Sequence, residues 1–82
     1  MSGKIKELRD ELDAVDSRLA SLLKRRVEIG RSIVAIKRDE GMPVDDFVRE
    51  AAVLNRLSAE NPEIAPLLKD LYGRIFSWVK TQ

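Results

Sequence analysis

Hydrophobic residues recur along the first forty positions with alternating steps of four and three. Leu8, Leu12, Val15, Leu19, Leu22, Ile29, Ile33 and Ile36 fall on this row, and Arg26 stands where another aliphatic side chain is due. A repeat of seven with one apolar seam is the signature of a helix. Residues 5–40 contain no proline and a single glycine, Gly30, so the predicted helix runs unbroken until Gly41 and Pro43 stop it. Asp45 or Asp46 can cap a second helix reaching about Ala59, with Phe47, Ala51, Leu54 and Leu57 as its apolar face. Asn61 followed by Pro62 reads as a cap with proline at the first helical position. The third helix then turns Ile64, Leu68, Leu71, Ile75 and either Trp78 or Val79 inward. Nothing in the pattern predicts a strand. The linkers around Gly41-Met42-Pro43 and Asn61-Pro62 are short, so residues 1–82 are expected to form one all-α domain of one long and two shorter helices.

The first helix is long for such a chain. About 35 residues rise roughly 50 Å, whereas a compact chain of this length has a radius of gyration near 12 Å. Two short helices cannot cover that seam. The remainder has to be buried elsewhere, most simply against a second copy, which predicts an intertwined helical homodimer. On the stripe alone, a plain antiparallel coiled coil without any site fits at least as well.

Composition narrows the chemistry. The 82 residues are 44% hydrophobic and 35% charged with a net charge of +1, which gives no basic excess of the kind nucleic-acid binders carry. No apolar run is long enough to span a bilayer. The polar opening Met1-Ser2-Gly3-Lys4-Ile5-Lys6-Glu7 has no signal-peptide core, so a cytoplasmic location is expected. Cysteine and histidine are absent. Disulfides and His-activated nucleophiles are excluded, and the usual zinc and copper ligands are missing. Neither metal nor cofactor is expected. Chemistry must come from carboxylates, Arg, Lys, amides and hydroxyls.

The charges that break the pattern carry the functional signal. A buried guanidinium needs a partner. Lys37 lies eleven residues, about three turns, from Arg26 and projects on nearly the same face roughly 16 Å away along the axis. Gly30 lies between them, where a missing side chain would leave room. Two cations flanking a gap suggest an anion site. Snorkelling or a structural ion pair accounts for Arg26 alone, and a solvated helix-end lysine for Lys37 alone. Asp46, Arg49 and Glu50 stand at i, i+3 and i+4 and share one face of the second helix, which a solvated face with a capping Asp also explains. Arg9 lies one step off the stripe, about 100° around the helix from Arg26. Antiparallel pairing of two long helices would bring Arg9 of one chain toward the other chain's Arg26.

Taken together, Leu8-Arg9, Asp16, Arg26, Lys37 and Pro43-Val44-x-Asp46-x-x-Arg49-Glu50 resemble the all-helical chorismate mutase family, over about residues 5–82. The resemblance implies a domain-swapped dimer with two sites that rearrange chorismate to prephenate in aromatic amino-acid biosynthesis. It implies that Arg26 binds a substrate carboxylate and that Arg9 does likewise from the partner chain. Lys37 would hydrogen-bond the ether oxygen and a carboxylate. Glu50 would hold the ring hydroxyl, helped by Asp46, with Arg49 at the same wall. The family also carries a Gln late in its third helix that donates to the ether oxygen. Matching it to Gln82 preserves a Val79-x-Thr81-Gln82 ending on the face of Ile75, but puts Trp78 at a small polar position and Arg74 toward an apolar spot. Sliding the match by one leaves the Gln position past residue 82. The rival readings are an isochorismate-pyruvate lyase, which Glu50 argues against, a non-catalytic helical dimerisation module, and a regulatory subunit of a partner enzyme.

Overall fold

The computed structural model describes residues 2–81. Helix α1 spans Ser2–Asp39, α2 Phe47–Glu60 and α3 Ala65–Thr81, with a short 3-10 turn at Pro62–Ile64 before α3. The described residues contain no strand, as the pattern predicts. No helix among them is long and apolar enough to cross a membrane.

The helix ends follow from local chemistry. Gly41 takes a φ of 69°, which only glycine adopts freely. That turn lets the Met42 N–H donate to the Lys37 carbonyl at 2.8 Å and the Gly41 N–H to the Arg38 carbonyl at 3.2 Å. Both bonds satisfy carbonyls that the end of α1 would otherwise leave open, and they fix the turn that carries Lys37. Asp46 caps α2: its Oδ1 accepts the Arg49 N–H at 3.0 Å. Pro62 opens a 3-10 turn rather than the α-helix itself, and the α-helical pattern begins three residues later.

α3 packs against both α1 and α2, while α1 and α2 stay apart. The buried core is small and comprises Val34, Val53, Ile75 and Val79. The inward faces differ in part from the expectation: Ile64 and Leu71, expected inward, are 42% and 38% exposed. In α2 the buried residue is Val53, whereas Phe47 and Ala51 are exposed. In α3 the choice between Trp78 and Val79 falls on Val79, and Trp78 is 54% exposed. One helix face wide enough to include either set is rotated by the neighbour it meets, and α3 meets α1 at Gly30. A Cβ built on Gly30 would lie 3.0 Å from Val79 Cγ1. The missing side chain at Gly30 therefore admits Val79, and Gly30 also lines the same hollow as Arg26 and Lys37. We expect Gly30→Leu to destabilise the fold by about 1–3 kcal/mol through overpacking. Thermal unfolding of Gly30→Leu, Val79→Ala and the double variant checks this: the double variant should recover part of the loss, since neighbouring lesions couple.

The heptad row stays uncovered. Leu8, Leu12, Val15, Leu19, Leu22, Ile29, Ile33 and Ile36 are all exposed, and α3 packs instead on the adjacent face bearing Val27, Gly30 and Val34. The chain extends over 59 × 24 × 16 Å with a radius of gyration of 16.5 Å. Its accessible surface is 6692 Å², against about 5,000 Å² for a compact chain of this mass.

Candidate functional site

Because α1 and α2 stay apart with α3 between them, a cleft opens at the C-terminal end of α1. Its volume is about 310 Å³, at the small end of ligand sites. Aliphatic side chains, among them Ile29, Ile33, Val44 and Val53, form much of its wall. Four cations, Arg26, Lys37, Arg49 and Lys80, and two carboxylates, Asp46 and Glu50, face it. The fold thus gathers Arg26, Lys37, Asp46, Arg49 and Glu50, five of the residues singled out from the sequence, from two helices and a cap.

Each is held differently. Arg26 is half-buried, and its guanidinium carbon lies 5.1 Å from the Tyr72 ring centroid and 5.4 Å from that of Phe76. No carboxylate pairs with it among the described residues. The aromatic faces support the charge without neutralising it. Neither pure snorkelling nor a structural ion pair describes this placement. Lys37, with a side chain 18% exposed, has its Nζ 3.8 Å from Asp46 Oδ2. Asp46 therefore uses one oxygen to cap α2 and turns the other toward Lys37. Arg49 is exposed at the rim. Glu50, one turn into α2, accepts a hydrogen bond from Lys80 Nζ on its Oε2 at 2.8 Å.

Lys80 escaped the sequence reading. Its ammonium also donates to Asp45 Oδ1 at 2.9 Å and lies 5.3 Å from the Phe47 ring centroid. The hydrogen bonds to Glu50 and then Asp45 raise its pKa above the ordinary 10.5, against the cost of burial. The ammonium contribution to stability is therefore fully present below the ordinary 10.5 and is lost as pH rises from there through the raised value. The signal was Val79: once it points inward, Phe76 and Lys80 are carried to the cleft edge. Trp78 instead lines a separate hollow with Leu23 and Val27 of α1.

Arg9 is not among the residues that line this cleft. Arg9 is exposed on the N-terminal half of α1, seventeen residues and about 25 Å from Arg26 along the helix. Gln82 lies outside the described residues.

The sequence model of a family described as chorismate mutase type II matches residues 8–82. The chain is 36% identical over 73 residues to the T-protein of Haemophilus influenzae, covering 85% of this chain and 19% of that protein. It is 28% identical over 57 residues to a chorismate mutase of Methanocaldococcus jannaschii, covering 70% of this chain and 58% of that one. A 3-dehydroquinate dehydratase of Pyrobaculum aerophilum shares 48% identity over 54 residues, 66% of this chain and 18% of that protein. The chain spans only 18% to 21% of the length of the first three curated relatives it matches. No solved structure matches it significantly.

Proposed function

Because the chain belongs to the chorismate mutase type II family, we propose that its cleft binds chorismate and rearranges it to prephenate, as a step of aromatic amino-acid biosynthesis. The observation that carries this reading is the convergence of four cations on one small, largely aliphatic cleft in which two carboxylates already occupy one wall. With the Lys80 ammonium engaged by Glu50 and Asp45, Arg26, Lys37 and Arg49 remain to face a substrate with two carboxylates and one hydroxyl.

The chemistry asks little else. A Claisen rearrangement is pericyclic, so no nucleophile, metal, cofactor or net proton transfer is needed. It requires a flexible dianion held in its folded reactive conformer. It also requires positive charge where negative charge grows on the oxygen of the breaking C–O bond. Arg26 binds a carboxylate, and its fork can do so bidentately once it leaves the aromatic faces. Lys37 reaches the ether oxygen and a carboxylate. Glu50 accepts from the ring hydroxyl beside Asp46, and Arg49 stands at the same wall. Gln82 supplies a neutral donor to the ether oxygen. Two chains pair through the exposed rows of α1, and Arg9 of the partner completes each site.

The deciding experiment is direct. Purified protein with chorismate should consume its absorbance and yield prephenate, and isochorismate in parallel should release no pyruvate. A dimer that leaves chorismate unchanged would return the chain to the class of helical dimerisation modules.

A further inference from the structure

We propose that Lys80 is a positioning residue that holds Glu50 in place for the substrate's hydroxyl. This inference rests on the mutase reading. Lys80 grips Glu50 through one oxygen only, Oε2, at 2.8 Å. The other oxygen, Oε1, makes no hydrogen bond among the described residues and remains available to a donor. Both carboxylates of the substrate would be repelled by Glu50. The ring hydroxyl is the one neutral donor of chorismate, and a carboxylate is its natural acceptor.

A glutamate is flexible and would not hold this position unaided. Lys80 supplies the constraint, because it is itself gripped at both ends. Its ammonium is shared between Glu50 and Asp45, which ties the end of α3 to α2 and to the linker before it. Its backbone carbonyl accepts from Arg38 Nη2 at 3.4 Å, which ties the same residue to α1. The Lys80 and Glu50 side chains are only 20% and 23% exposed, so the pair is less screened than the ion pairs along the outer face of α1.

The test compares two substrates. One is chorismate, and the other is the same dianion lacking the ring hydroxyl. Lys80→Met should lower kcat/KM for chorismate roughly 10- to 100-fold, the scale set by misplacing one contact. With the deoxy dianion, wild type and Lys80→Met should turn over alike, because the contact that Lys80 organises is absent. Lys80→Arg, which keeps a donor to Glu50, should retain most of the activity on chorismate and guards against a Lys80→Met chain that fails to fold. An equal loss on both substrates would overturn the proposal, since Lys80 would then act on the substrate charge itself or on folding. Unchanged kinetics on chorismate would overturn it as well and leave the mutase reading standing. A wild-type chain inert on chorismate would overturn both.

Discussion

Arg26→Ala and Lys37→Ala should each cut chorismate turnover by a few hundredfold or more while leaving the helical assembly intact. The expected loss follows from the charge that grows in the transition state. A preorganised donor aimed at such charge commonly supplies roughly 3–4 kcal/mol. The expected tolerance of the fold follows from what each side chain leaves behind. Arg26 pairs with no carboxylate among the described residues, so its removal strands no buried charge, only the faces of Tyr72 and Phe76. Removing Lys37 leaves Asp46, whose side chain is 50% exposed and whose Oδ1 keeps capping α2. Steady-state rates with circular dichroism and light scattering on the same samples check both halves. Arg26→Lys separates charge from geometry: a point charge without the planar fork should restore only part of the activity. Near wild-type turnover in both alanine variants would place the chemistry elsewhere.

Mixed dimers of Arg9→Ala and Arg26→Ala chains should regain about half of wild-type activity, though each variant alone is nearly inactive. If Arg9 serves the partner's cleft, one of the two sites in a mixed dimer carries both lesions and the other carries neither. The structure motivates this from two sides. Arg9 lies on the bare half of α1, out of reach of its own cleft. The exposed apolar row on the same helix runs from Ile5 to Ile36 and is far longer than the isolated hydrophobes that monomer surfaces tolerate. The surplus of about 1,700 Å² over a compact chain is of the order that obligate pairing buries. Only four residues form the core of a single chain. A charge in the row, as in Leu19→Glu, should therefore unfold the chain rather than release a stable monomer. A stable folded monomer at micromolar concentration would refute the dimer, and verified mixed dimers without recovery would refute the shared site.

Much of the architecture was legible because its causes are local. A seven-residue period marks a helix whatever surrounds it, and the row from Leu8 to Ile36 did so. Gly41 stops α1 because the turn needs a positive φ, and Asp46 starts α2 because a side-chain oxygen must satisfy a free N–H. Arg26 and Lys37 were visible as cations out of place, and the i, i+3, i+4 spacing placed Asp46, Arg49 and Glu50 on one face. These signals depend on neighbours within a turn or two, so the chain alone carries them.

Tertiary structure decided how the helices are rotated against one another. An amphipathic helix has a face wider than any contact it makes, so Phe47 and Val53, or Trp78 and Val79, are each compatible with the pattern. The approach of Val79 to Gly30 resolved that choice for α3 and gave Gly30 a packing role besides its place in the cleft wall between Arg26 and Lys37. The same rotation carried Lys80 into the cleft, thirty residues from Glu50 in sequence. No local pattern encodes such a meeting, because it depends on where a third helix lies between two others. The sequence by itself therefore determined the three helices, the stop at Gly41, a cap at Asp45 or Asp46 and five of the cleft's charged residues, whereas Asn61, read as a cap of the third helix, bonds back to the Leu57 carbonyl instead. Only the packing of α3 determined the core and the sixth, Lys80, because close packing selects one rotation from several that periodicity permits.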